Sequence, residues 1–155
     1  MRDPFYSKAD FVPERSIGYL VHRLKKLGTA RAEAMFADQD INLSQWIAMF
    51  HIRHRLAITA GEISKCLGHN SGAVTRMLDQ LDERGLIVRI RDKADRRVVN
   101  LETTEAGQEM LDRLTPIMMD LWNDHLSIFT RDEAETLISL LHRLLGTLDD
   151  EDNKA

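Results

Sequence analysis

The chain has 155 residues, 43% hydrophobic and 30% charged, with a net charge of −4 and one cysteine. That length fits one well-filled core, or a small domain with an oligomerisation arm, and the composition is that of a globular rather than a disordered or fibrous protein. One cysteine excludes an internal disulfide, the first ten residues lack a signal peptide's apolar core, and no run approaches membrane-spanning length, so a reducing cytoplasm is the expected location.

In chain order, residues 1–13 read as an irregular tail punctuated by Pro4 and Pro13. From 14 to 36, Ile17, Leu20, Val21, Leu24 and Leu27 follow helical spacing. Ser44 (or Asn42) can cap a second helix carrying Trp46, Met49, Phe50 and Ile52. Thr59 and Glu62 have capping-box spacing, so a short helix follows with Ile63, Cys66 and Leu67 inward, and Gly68 stops it. Asn70 or Ser71 can cap the next helix, whose apolar set Val74, Met77, Leu78 and Leu81 recurs at i, i+3, i+4, i+7 until Gly85. Two helices broken by Gly68-His69-Asn70 form a helix-turn-helix.

After Gly85 the period changes. Leu86–Arg91 and Val98–Thr103 are β-rich runs separated by a polar tip, a hairpin that reads as the wing of a winged helix. Thr104 then opens a long helix with Leu111, Leu114, Met118, Leu121, Trp122 and Phe129, which Pro116 should kink. Thr130 and Glu133 form another capping box before a final helix carrying Leu137, Leu140, Leu141, Leu144, Leu145 and Leu148, with 149–155 as a tail. The expected fold is mainly α with a small β wing: a winged helix-turn-helix over 42–104, flanked by helices at 14–36 and 105–148. Those flanking helices carry more leucine surface than the central domain needs. They either pack on one another or interlock with a second copy through Ile17 and the final leucine stripe, giving a homodimer with two recognition helices on one DNA face.

The global charge does not announce a nucleic-acid binder, but its distribution does. Between Arg84 and Arg97 lie six bases and two acids, on a chain whose acids concentrate elsewhere, including Asp149–Asp152. Contact electrostatics act within roughly 8 Å at physiological salt, so a local basic patch can hold phosphates. A solvated charged hairpin is the plainer alternative.

The strings S-G-A-V-T-R-M-L-D-Q-L-D-E-R-G-L-I-V-R and D-K-A-D-R-R-V-V-N-L-E-T-T-E-A-G, in this order of elements, resemble the MarR (multiple antibiotic resistance regulator) family of bacterial winged-helix repressors. The resemblance runs from about Ile17 to Leu148. Its most specific part is an Asp-x-Arg wing followed by a strand and T-x-x-G, here Asp95, Arg97, Thr104 and Gly107. Departures are Ser64 where the family has Ala, His69 where it has an apolar residue, and Thr103 where it has Leu; they imply wetter packing around the turn.

With Val74, Met77, Leu78 and Leu81 buried, the second helix of the motif presents Gly72, Thr75, Arg76, Asp79 and Glu83. Its first turns are small, hydroxylic or basic, which suits insertion into the major groove. Backbone N–H groups at Ser71 and Gly72 can take a phosphate oxygen, Arg76 a guanine edge or phosphate, and Thr75 or Asn70 a base edge. Arg97 is the candidate for the minor groove, oriented by Asp95, a job this pair has in the family. Arg89, Lys93 and Arg96 read as phosphate contacts that position without specifying sequence. Asp95 and Arg97 merely closing a turn is the alternative.

The resemblance also implies a cleft for a small aromatic acid or phenol, lined by Tyr19, His22, Trp46, Met49, Phe50 and Arg53, with Arg15 for a carboxylate. Binding there would misplace the recognition helices and lower DNA affinity by linkage. Ordinary core is the preferred reading of Trp46, Met49 and Phe50. Cys66 as a redox sensor and His51, His54 and His22 as a metal site are weaker triggers; a buried structural thiol and ordinary histidines are preferred. No catalytic or cofactor motif is present, so the rivals to a DNA-binding regulator are an enzyme without a motif and a winged-helix protein–protein adaptor.

Overall fold

The computed structural model describes residues 3–152, with side chains described through Leu148. These residues form two compact units that divide between Thr115 and Pro116. Among them no helix is long and apolar enough to cross a membrane.

The first unit starts with a correction. The helix expected from residue 14 is a 3-10 turn at Pro13–Arg15, and α1 runs Ile17–Phe36. Ser16 separates the two because its backbone is extended, and its hydroxyl accepts the Tyr19 N–H at 3.3 Å. The expected irregular tail is anchored to this junction. The Tyr6 hydroxyl donates to the Arg15 carbonyl and accepts from the Ile17 N–H, while the rings of Phe5, Tyr6 and Phe11 meet edge to face. Met1 and Arg2 lie outside the described residues.

Helix α2 (Leu43–Arg53) is capped by Asn42, which exchanges hydrogen bonds reciprocally with Gln45. Helix α3 (Ala60–Leu67) starts at the Thr59–Glu62 box and stops at Gly68, whose φ of 65° is the left-handed conformation that favours glycine. Helix α4 (Ser71–Glu83) is capped by the Asn70 carboxamide on the Ala73 N–H. Strands β1 (Ile87–Arg91) and β2 (Val99–Thr103) pair antiparallel, Ile87 opposite Thr103 and Arg91 opposite Val99. The Leu101 N–H also reaches the Ile58 carbonyl at 2.7 Å, tying the hairpin to the chain before α3.

The core of this unit includes Ile41, Met49, Ile63, Val74, Leu78, Leu81, Leu86, Ile87, Leu101, Leu111 and Leu114, all buried. Each such side chain contributes roughly 1.5–3 kcal/mol by leaving water. Cys66 is not among them: the expected inward thiol is exposed. The covered side of α3 is narrow, burying Ile63 fully and Leu67 partly.

Helix α5 (Glu105–Leu126) is seated by Thr104 and Gly107. Thr104 Oγ1 donates to the Gly85 carbonyl at 2.6 Å and accepts the Gly107 N–H at 3.0 Å. The helix then runs on through Pro116 into the second unit. It ends before Phe129, which the periodicity had placed on it. The Ser127 N–H and hydroxyl both bond the Asp124 carbonyl, and the Phe129 N–H bonds that of Leu126, so Phe129 lies in a turn. Helix α6 (Arg131–Asp152) begins at the Thr130–Glu133 box. Its backbone continues past Leu148 through the acidic run expected as tail, since no glycine or proline interrupts it; residues 153–155 lie outside the described residues.

Candidate nucleic-acid interface

Burial of Val74, Leu78 and Leu81 turns the opposite side of α4 outward: Ser71, Gly72, Thr75 and Arg76 are all exposed. Asn70 spends its carboxamide oxygen on the cap, which leaves its NH₂ as the group available to a base. Thr75 Oγ1 donates to the Ser71 carbonyl at 2.9 Å and keeps its lone pairs as acceptors. Across the turn that orients α4, Ser64 Oγ donates to the His69 carbonyl at 2.7 Å. The hydroxyl that departs from the family pattern thus satisfies a turn carbonyl that alanine would leave free.

The wing tip is organised by Asp92. One carboxylate oxygen accepts the N–H groups of Ala94 and Asp95, at 2.8 and 3.0 Å, and the other accepts the Asn100 amide at 3.2 Å. These bonds, the Asp95 N–H foremost, hold its carboxyl below the usual range. Sequence reasoning counted Asp92 only as an acid. Its signal was an Asp opening a tight tip, where a short carboxylate bonds backbone two and three residues on.

Asp95 accepts the Arg97 backbone N–H at 3.0 Å and lies 3.8 Å from its Nε, while the Arg97 side chain is 95% exposed. The carboxylate therefore fixes the backbone under Arg97 and holds the guanidinium only loosely, so turn closure and orientation coexist. Lys93 and Arg96 are exposed on the same tip. Arg89 departs from its expected place as a free phosphate contact, because Asp79 holds it at 2.6 Å and Asp82 at 3.8 Å. Strand alternation puts Arg91 on the same face as Arg89, one step toward the tip, and it is exposed. Sequence analysis counted Arg91 in the patch without giving it a role.

The residues expected to line a small-molecule cleft are only partly assembled. Trp46 stacks on Phe50 at 4.9 Å and meets Phe36 at 5.8 Å. Trp46 and Met49 are buried core, yet the Trp46 Nε1 has no hydrogen-bond partner. Arg53 is held by Asp112 at 2.5 Å and Arg15 by Asp10 at 3.2 Å, so both expected cations are already paired. Tyr19 and His22 are exposed on α1. An open hollow of about 450 Å³ lies between the end of α1 and the start of α2, lined by residues that include Phe36, Asp40, Ile41 and Ser44.

The other triggers gain nothing. Partial burial pushes the Cys66 thiol up, the wrong direction for a reactive thiolate. His51 Nδ1 lies 2.8 Å from the Ile47 carbonyl, and the His54 ring packs 4.4 Å from Phe50. Among the described residues no group of three or more His, Cys, Asp or Glu is placed to hold a metal.

Residues 39–98 match a family model described as MarR family. Over 130 residues the chain is 29% identical to the multiple antibiotic resistance protein MarR of Escherichia coli, covering 83% of this chain and 90% of that one. The solved apo form of wild-type E. coli MarR superposes with a TM-score of 0.70 at 29% identity, over 84% of this chain and 97% of its own. Over its central 60 residues the chain is thus similar to the MarR family, and over most of its length to E. coli MarR. A mutant E. coli MarR solved in complex with operator DNA is similar at a TM-score of 0.66 and 29% identity, over 83% of this chain and 93% of that one. The Staphylococcus aureus MepR–DNA complex, at 22% identity and a TM-score of 0.66 over 85% and 98%, shares the fold. The residues of the MarR-like signature divide between two jobs: Thr104 and Gly107 lock the fold, and Asp95 and Arg97 shape the wing.

Proposed function

We propose that the protein is a homodimeric repressor that binds a pseudo-palindromic double-stranded operator in the cytoplasm. Residues 42–104 act as the reading domain, and α1, α5 and α6 as the dimer arms. The observation that carries this is the bare, exposed N-terminal half of α4 beside a wing whose Lys93, Arg96 and Arg97 are exposed. Ser71 and Gly72 offer backbone N–H groups to a phosphate, Asn70, Thr75 and Arg76 read base edges, and Arg97 enters the minor groove. Arg91 takes the phosphate role that the paired Arg89 leaves. Two such units in a two-fold dimer fit half-sites about 34–36 Å apart.

Fluorescence anisotropy of duplex DNA against salt tests this. A binder that neutralises Z phosphates gives a log–log slope near roughly −0.9Z. A flat response favours the adaptor, which has no need of exposed arginines beside a helix N-terminus.

We further propose that a small aromatic acid or phenol lowers the operator affinity. Its support is the Trp46 Nε1, a buried donor without an acceptor between two aromatic rings. A buried unpaired donor costs about 1–3 kcal/mol, which a ligand oxygen would recover. A phenolic acid should therefore quench or shift tryptophan emission, raise Tm and weaken operator binding, and Trp46→Phe should blunt all three. Operator affinity unchanged at saturating ligand would refute the proposal.

A further inference from the structure

Arg89 stands on β1 with its guanidinium against two carboxylates of α4, Asp79 at 2.6 Å and Asp82 at 3.8 Å. Asp79 and Asp82 are three apart on the helix and so share a side. The three groups sum to one negative charge, which makes them a poor attractor for phosphate. Asp79 also follows Thr75 and Arg76 on the exposed side of α4, where a free carboxylate would repel the DNA backbone.

We propose that Arg89 is a positioning residue for DNA recognition: bridging to Asp79 and Asp82, it sets the angle between wing and recognition helix and withholds two carboxylates from the DNA. The idea rests on the DNA-binding reading above and adds a device to it. The lever argument favours this site. Helix α4 and strand β1 meet at Gly85, and the apolar contacts of Leu81 and Ile87 lie next to that hinge. The Asp79–Arg89 pair lies farther out along both elements, where the same tie restricts the angle more. Arg91 and the tip beyond it then hold a fixed distance from Thr75 and Arg76.

The test uses a duplex selected by the full-length protein from a random library, with a scrambled duplex of equal composition as control. Arg89→Gln is expected to weaken the selected duplex about tenfold, a coupling of the size that paired charged groups show. It should change the scrambled duplex by less than about threefold and leave the salt slope at its wild-type value. Arg89→Lys, which can still reach Asp79, should recover most of the loss. In an Asp79→Asn/Asp82→Asn background, Arg89→Gln should add nothing further.

A salt slope reduced by about one unit would make Arg89 a direct phosphate contact and overturn the proposal. An undiminished loss in the background lacking both carboxylates would overturn it too. Hydrogen exchange of the free protein supplies an arm independent of DNA: amides of Val88–Arg91 and Val99–Glu102 should exchange faster in Arg89→Gln and at the wild-type rate in Arg89→Lys. Unchanged exchange in Arg89→Gln sinks the strut, whereas a wild type that binds no duplex sinks the DNA reading alone. If Arg89→Gln fails to fold, the Asp79→Asn/Asp82→Asn protein carries the same exchange measurement and the same expectation.

Discussion

A methyl group on Gly107 would lie 2.0 Å from the Leu86 carbonyl oxygen and 3.0 Å from its carbon, and backbone has no rotamer with which to yield. Gly107→Ala should therefore destabilise the fold by about 3 kcal/mol, as overpacking at a rigid site does. For a chain of this size that lowers Tm by roughly 10 °C at fixed protein concentration, readable by calorimetry. Arg97 is the opposite case. Its side chain is 95% exposed and loosely paired, so Arg97→Ala should leave Tm and oligomeric state unchanged. It should nonetheless weaken specific DNA binding by about 1–3 kcal/mol, measured by anisotropy on a selected duplex. Full affinity in that variant removes Arg97 from the interface. Both positions were legible from spacing in the sequence, but the divided labour of the signature was not, because Gly107 acts on a carbonyl 21 positions earlier. The pairing of Arg89 was not legible for a similar reason. Charge counting along the wing does not see two carboxylates on a neighbouring helix.

Capping chemistry made the elements readable. Thr59 with Glu62 and Thr130 with Glu133 each announce a helix start that the structure bears out, whereas the cap of α2 falls on Asn42, paired with Gln45, rather than on Ser44. Glu62 does more than the motif requires, accepting N–H groups from both Ile58 and Thr59. Those bonds, the Ile58 N–H first, hold its carboxyl below the ordinary 4.5 against the opposing effect of partial burial. The folded chain then binds this proton less readily than the unfolded chain. The stabilisation is complete above the ordinary value and drains away as pH falls through the lowered one. Glu62→Ala should cost about 1 kcal/mol near neutrality, and the gap from wild type should narrow in urea titrations below pH 4.5. A gap that stays constant into acid would show that the charge is irrelevant. Periodicity read less well at edges. Cys66 shares a helical interval with Ile63, yet α3 is only eight residues long and its cover too narrow to include the thiol. Phe129 was counted onto α5 because apolar spacing persists after Ser127 has ended the helix.

For the molecule as a whole, apolar surface is the unspent quantity. On α1, Ile17, Leu20, Leu24 and Leu27 are exposed, and on α6 so are Leu137, Leu140, Leu144, Leu145 and Leu148. Soluble monomers rarely leave contiguous apolar patches larger than a few hundred Å² in water, so a second copy is the economical cover. Sedimentation should find a dimer, and Leu141→Glu with Leu145→Glu should yield a monomer that retains helical content. A monomeric wild type would refute the dimer. The leucine surplus was visible in the sequence. Where the chain divides into compact units was not, because Pro116 sits in a continuous helix and gives no linker signal.

The seat of α5 on the Gly85–Leu86 turn has one more consequence. Thr104 bonds that turn, and Gly107 leaves no room for a side chain against it. A joint without backlash passes on whatever rotation it receives. A swing of the first turn of α5 would bear on the turn that joins α4 to the wing, so a signal need only re-aim this assembly, never reshape it.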